Sequence, residues 1–325
     1  MRPYPESASQ QTRWIRALRG QPHPVDYEAG CSAISELEAL GEARTVTTNV
    51  IFPVNSECPY TCVMCDLWKN TLPGATPPGA VKLQIAKALA TLPTARWIKI
   101  YNAGSFFDTR AIPIDDYHQI ATLLRSYERV IVESHPAFIG ERVLKLRDYL
   151  CGSLEVAMGL ETVHEPTLQK LNKRCTLSQF EQAARFLHSH NIDLRVFIIA
   201  RPPFQTENQA VTWGQKSLEF ANSLSARASI LIPGRAGNGA MDELQRIGDF
   251  SPPHIKTVEH LLQYGLALAG SRVYVDTWSP SWRMNCECDN KRVIRIHAMN
   301  RLQAVVEPIN CRYCNAGDLW CNDGP

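Results

Sequence analysis

Eleven cysteines in 325 residues are the side chains best able to carry chemistry here, and eight of them fall into two groups. Cys58, Cys62 and Cys65 lie in Asn55-Ser56-Glu57-Cys58-Pro59-Tyr60-Thr61-Cys62-Val63-Met64-Cys65, a C-x3-C-x2-C spacing. Three thiolates this close can hold three irons of a 4Fe–4S cluster, whose usual complement is four thiolates. The fourth iron then keeps a position open for activating a bound molecule. Zinc is the competing occupant, but it prefers paired short spacings with a distant second pair. Uncoordinated thiols are the remaining alternative.

The second group is Cys286 and Cys288, then Cys311 and Cys314, a C-x-C pair and a C-x2-C pair, with Cys321 as a spare. Two close pairs closing a loop suit a structural zinc or a second 4Fe–4S cluster. A C-terminal piece with little core of its own gains from such a staple. Cys31, Cys151 and Cys175 stand alone and read as small buried hydrophobes. A long chain without an export signal argues against a disulfide framework.

Apolar residues make up 45% and charged residues 20%, so the chain can bury a full core and is not disordered. Lys+Arg is 34 against Asp+Glu 32, a net charge of +2. So small an excess predicts neither strong non-specific nucleic-acid binding nor attraction to a membrane surface. The polar N-terminus lacks a signal-peptide segment, and no apolar run approaches the ~18 residues needed to span a bilayer. The expectation is a soluble, cytoplasmic protein.

The elements that must position the cysteines read as an α/β succession. Before residue 46 the pattern is helical, with Leu37 and Leu40 on one face and Gly41 as a stop. Arg13, Arg16 and Arg19 share a helix face that reads as solvated. Strand patterns follow at 45–54, 97–101, 130–133, 154–158, 194–200 and 228–232, alternating with helical patterns at 81–92, 115–125, 178–189 and 208–221. Six βα units in succession predict a parallel sheet curving into a partial (βα)6 barrel, with ligands at the strands' carboxyl ends. Beyond the Pro-Pro pair at 252–253 come a helical stretch at 255–268 and short strands around Val273 and Val293. The predicted organisation is an N-terminal helical extension (1–45), a core barrel (46–250) and a cysteine-rich C-terminal extension (251–325). The glycines of Gly234-Arg235-Ala236-Gly237-Asn238-Gly239 follow the last core strand and read as a flexible loop.

The triad on the first βα loop of this pattern resembles the radical S-adenosylmethionine (SAM) superfamily. That resemblance implies that the open iron chelates the amino and carboxylate groups of SAM. It also implies electron transfer from the reduced cluster, cleavage of the sulfonium and a 5′-deoxyadenosyl radical that abstracts hydrogen from substrate. Met64 stands where the superfamily often has an aromatic residue near the adenine, and methionine is a polarizable apolar substitute.

Three further strand-end segments carry the likeness: residues 100–108 (IYNAGSFFD), 132–136 (VESHP) and 159–162 (GLET). They are similar to the branch containing the elongator-type and methylthiotransferase enzymes. With Asn172-Lys173, Pro202-Pro203-Phe204 and the 285–289 segment (NCECD), they resemble more narrowly the radical SAM subunit of archaeosine synthase over residues 45–290.

By this likeness Asn102, Gly104, Ser105, Glu133 and Glu161 are cofactor-binding candidates. Gly104 and Ser105 would present backbone groups to the methionine amine, and Glu161 would meet the ribose hydroxyls. Gly104 and Gly159 have a purely local alternative in tight strand-to-loop turns, and Glu161 could be a solvated carboxylate. His135 is a candidate proton donor or a polar rim residue. Arg201 is a candidate for holding a substrate carboxylate, or a structural ion-pair partner.

The implied substrate is a modified 7-deazaguanine base in tRNA, with radical cleavage of a C–N bond. The near-balanced charge gives that little support, so a second subunit would supply much of the RNA affinity. A reductase, ferredoxin or flavodoxin would supply electrons. A related enzyme acting on a small biosynthetic molecule is the alternative, and a non-catalytic protein with two zinc sites is the competing class.

Overall fold

The computed structural model describes residues 4–268, 270–278 and 280–313; Cys314 and Cys321 lie outside them. A helix α1 (Ala8–Leu18) precedes an antiparallel hairpin of β1 (Ser32–Gly41) and β2 (Arg44–Phe52). From β2 onward strands and helices alternate: α2 (Ala80–Leu89), β3 (Trp97–Ile100), α3 (Tyr117–Leu123), β4 (Arg129–Glu133), α4 (Glu141–Tyr149) and β5 (Ser153–Glu161). They continue with α5 (Glu165–Lys170), α6 (Leu177–Ser189), β6 (Asp193–Ile199), α7 (Glu207–Ser223), β7 (Ala228–Ile232) and α8 (Ala240–Arg246). The described chain closes with α9 (Ile255–Ala267), β8 (Arg272–Val275) and α10 (Asp289–Leu302). The eight strands lie in sequence order in one nearly closed, barrel-shaped sheet, every neighbouring pair from β2 to β8 being parallel.

The six predicted strands are β2 to β7, and they are apolar because helices cover their outer face. Ile85, Ile120, Leu146, Phe180, Leu187, Leu218 and Leu261 from six helices pack into one core with Ile98, Val130, Val156 and Val196. Inside the barrel, at the end away from the cysteines, the contents are ionic. Arg195 reaches Glu155 Oε1 (2.6 Å) and Glu38 Oε1 (2.7 Å), while Lys99 reaches Glu38 (2.7 Å) and Glu36 (2.6 Å). Arg195–Glu155 joins the adjacent strands β6 and β5, whereas the contacts of Arg195 and Lys99 with β1 join non-neighbouring strands and so cross the barrel interior. They also hold the sheet's two ends together, with Tyr274 of β8 donating to Ala39 O of β1 at 2.5 Å.

The segment read as helical around Leu37 and Leu40 is β1. Its Leu, Glu and Ala residues favour helix, but Glu36 and Glu38 are drawn into the barrel by Lys99 and Arg195, so tertiary context overrides propensity. The hairpin turn is equally unannounced. Glu42 and Ala43 both take positive φ, 52° and 57°, where Asn-Gly is the usual signal. Val273 does lie in a strand, but Val293 lies in α10 rather than in a strand. The alternation around Val293 misled because Arg292 and Arg295 are buried beside Ile296, their charges met by Glu259.

Candidate active site

The three cysteines lie on the long loop after β2, at the carboxyl end of the parallel strands. That loop has little regular structure, so its order comes from side chains reaching in from elsewhere. Gln84 of α2 both donates to Val54 O and accepts from Val54 N, at 2.8 Å each. Asn172, after α5, donates to Thr61 O (2.8 Å), and Leu171 O accepts from Val63 N (3.0 Å). Asn238 donates to Val63 O (2.8 Å) and Cys65 O (3.0 Å). From the N-terminal helix Thr12 hydrogen-bonds Thr61 (3.1 Å), and Arg19 pairs with Glu57 (2.6 Å) while lying over the Trp68 ring.

Two expectations change here. Arg19 is a clamp on the cysteine loop rather than part of a solvated face. The glycine-rich segment read as a flexible loop is a second clamp. Its Asn238 is 5% exposed, and a Cβ on Gly239 would stand 1.9 Å from Leu18 O at the end of α1. The available signal was an Asn beside two glycines, which a periodicity reading assigns to a turn. Of the lone cysteines, Cys151 is exposed, and Cys31 and Cys175 are half-buried.

Burial pushes the Cys58, Cys62 and Cys65 thiols up to about 12; the Lys173 ammonium acts against this at Cys58 and Cys62. Such thiols stay protonated until something displaces the proton, as a metal does.

Around the loop the strand ends present the other sequence candidates. Asn102, just past β3, is 1% exposed, and neither its amide oxygen nor its amide nitrogen has a hydrogen-bond partner. Asn55 Oδ1 and Ser56 Oγ in the cysteine loop are likewise buried without partners. Gly104 passes so close to this loop that a Cβ would stand 3.0 Å from Asn55 Nδ2 and 3.4 Å from Ser56 O. Ser105 Oγ accepts from His135 N at 2.9 Å. These orphaned groups, a cradle without a Cβ and three thiols carried on one clamped loop fit a cluster bearing a polar ligand.

Glu161 is not a solvated carboxylate: its Oε1 meets Lys173 Nζ at 2.7 Å, and both residues are buried. Gly159 is required by this pair, since a Cβ there would stand 2.1 Å from Glu161 Oε1 and 2.6 Å from Lys173 Nζ. Lys173, which the sequence marks only as part of the Asn172-Lys173 pair, is thus the partner that fixes Glu161. Burial raises the half-buried Glu133 to about 7 against the pull of Lys173.

The His135 ring is enclosed. Its Nδ1 accepts from Ala137 N (3.1 Å), which leaves the proton on Nε2 to be donated to Lys173 O (3.0 Å). Tyr60 stacks on it at 4.0 Å, and burial drives its pKa down to about 3, so it is neutral. Arg201 meets Glu207 Oε2 (2.7 Å) and Ser251 Oγ (2.6 Å), the arrangement of a structural pair. Met64 is half-buried against the apolar set of Ile15, Val63 and Leu168. A cavity of about 330 Å³ flanks His135 and Arg174, and none of the three cysteines lines it.

Similarity to known proteins follows this geometry. In fold, the chain is similar to Elp3 from Methanocaldococcus infernus (TM-score 0.51, 11% identity, 66% of this chain and 58% of that one). It is also similar to methylornithine synthase (TM-score 0.50, 12% identity, 79% of this chain and 83% of that one). What the chain shares with these two proteins is the fold.

In sequence, the chain is weakly homologous to archaeosine synthase subunit beta of Thermococcus kodakarensis, 24% identical over 207 residues, 61% of this chain and 64% of that protein. An uncharacterized protein of Methanocaldococcus jannaschii is 27% identical over 172 residues, 51% of this chain and 47% of its own length. The matches therefore span about half to two thirds of these relatives. No protein-family model matches the chain. Among the described residues no helix is long and apolar enough to cross a membrane.

Proposed function

We propose that the protein is a radical SAM enzyme, with Cys58, Cys62 and Cys65 holding a 4Fe–4S cluster and SAM bound beside it. The observation that carries this reading is the pairing of the three clamped thiols with the orphaned Asn102 amide and the Gly104 cradle. The shared fold supports it. When bound to Cys58, Cys62 and Cys65, a reduced cluster would supply the one-electron chemistry toward SAM that starts such a reaction.

This chain's residues do the rest. Asn102 offers one donor and one acceptor to the polar end of SAM, and the missing Cβ at Gly104 lets backbone groups approach the same ligand. Lys173 holds Glu161 by one carboxylate oxygen, so that the carboxylate is fixed at the mouth for the ribose. The neutral His135 ring, stacked on Tyr60, forms a wall that keeps water from the site.

The homology to archaeosine synthase subunit beta supports a 7-deazaguanine base in tRNA as substrate, with a partner subunit supplying RNA affinity. The net charge of +2 favours a second reading, a small biosynthetic substrate taken directly by this chain.

Iron and sulfide content, with EPR of anaerobic dithionite-reduced protein, tests the first claim. A cluster signal that shifts on adding SAM and disappears in a Cys58/Cys62/Cys65→Ala variant is expected. Zinc without iron at these positions overturns it. A mobility shift with tRNA, for the chain alone and with co-purified partners, tests the substrate; no binding in either form leaves the small-molecule reading.

A further inference from the structure

A second group of thiols lies away from the cysteine loop. Cys286, Cys288 and Cys311 bring their sulfurs within 4.8 Å of one another, and Cys286 Sγ stands 3.7 Å from Cys311 Sγ. Two thiolates bound about 2.3 Å from one zinc at the tetrahedral angle stand about 3.8 Å apart. Thiolates on separate irons of a cubane are spread wider, because each sits on its own metal. The spacing therefore separates two occupants that the sequence leaves open.

The surroundings are built for bound thiolates. Asp289, fully buried, accepts from Asn285 N (2.8 Å) and Cys286 N (2.9 Å), winding this segment onto the start of α10. Cys288 occupies the N-cap of that 14-residue helix, where the helix dipole favours negative charge. The Arg292 guanidinium hydrogen-bonds Cys288 and is itself held by Glu259. Such charged groups around the sulfurs are what fixes metal-binding thiolates in place.

We propose that Cys286, Cys288 and Cys311 bind a single zinc-class ion in a tetrahedral, thiolate-rich site that staples the C-terminal segment to the barrel rim. The sequence offers Cys314 and Cys321 for the fourth position, both outside the described residues. The staple acts on the rim through Arg283, which reaches Glu207 Oε2 at 2.5 Å, and Glu207 in turn holds Arg201 at the end of β6. Neither the reaction nor the substrate proposed above is needed for this site.

The test uses the full chain carrying Cys58/Cys62/Cys65→Ala, so that any remaining metal belongs to the second group. The expected result is one zinc per chain and no labile sulfide. Cobalt substitution is expected to give the intense visible bands and sulfur-to-metal charge transfer of a tetrahedral thiolate site. Adding Cys311→Ser should reduce the zinc and weaken the charge-transfer band, whereas exposed Cys151→Ser should change neither. Iron with sulfide in the triad variant, no bound metal, or a Cys286–Cys311 disulfide in air-free protein each overturns the proposal. Should Cys311→Ser fail to fold, the cobalt spectrum of the parent still decides between a tetrahedral thiolate site and none.

Discussion

Asn238 offers the sharpest test of how the cysteine loop is ordered. Its amide nitrogen donates to Val63 O and Cys65 O, and its oxygen accepts from Met241 N at 2.7 Å at the start of α8. Asn238→Asp keeps the shape and the acceptor, so the helix start is retained. It removes both donors and sets a carboxylate against two carbonyl oxygens. Each lost neutral hydrogen bond is worth about 1 kcal/mol, and leaving buried groups unpaired adds to this, so the cost is about 2–4 kcal/mol. For a chain of this size that corresponds to a fall in Tm of roughly 3–6 °C. The assay is anaerobic thermal unfolding, together with iron retained after exposure to a chelator. Asn208→Asp, at an exposed position in the first turn of α7, serves as the control and should change neither. If Asn238→Asp melts at the wild-type temperature and holds its iron equally well, the β7–α8 loop is not what orders the cysteines.

Gly159→Ala should displace the Glu161–Lys173 pair and destabilise by up to about 3–5 kcal/mol, the cost of breaking a buried ion pair; Gly20→Ala, with nothing within 4 Å, should be neutral in the same denaturant titration. Arg195→Met leaves Glu38 and Glu155 buried without their main cation and should cost about 3–5 kcal/mol or prevent folding, read by circular dichroism and urea unfolding. Burial raises Glu133 to about 7, above an unfolded value of roughly 4.3, so its contribution to stability is present below that lower value and lost as pH rises through 7. In the cluster-free triad variant, Glu133→Gln should therefore flatten a fall in stability across that window, and an unchanged slope would refute the burial argument.

The parallel strands, their order and the position of the triad were legible because β2 to β7 are short apolar runs with helical patterns between them. What stayed hidden depends on partners distant in sequence. β1 is built from helix-favouring residues, and its strand state follows from where Lys99 and Arg195 lie across the barrel. The part played by Lys173 needs the conformation at Glu161, whose φ is +67°, to bring the two charges together. Asn238 and Arg19 act on a loop more than a hundred and about forty residues away, respectively, and no local pattern marks either. Conversely, the second cysteine group was visible from spacing, but only the 3.7 Å sulfur separation distinguishes one ion from a cluster.

The contrast between the two ends of the barrel bears on function. At the closed end Glu38, Glu155, Lys99 and Arg195 meet one another's charges. At the open end Asn55, Ser56 and Asn102 are buried with unmet atoms, and Asn102 has neither its amide oxygen nor its amide nitrogen paired. Each such group costs about 1–3 kcal/mol unless a ligand meets it. Asn102→Ala should therefore not lower the stability of the SAM-free protein, because no internal hydrogen bond is lost and two unmet groups are removed. The same variant should weaken SAM binding, seen as a smaller EPR change at a given SAM concentration. A structural amide would give the opposite pattern, a clear loss of stability with SAM binding intact, and that result would remove Asn102 from the site.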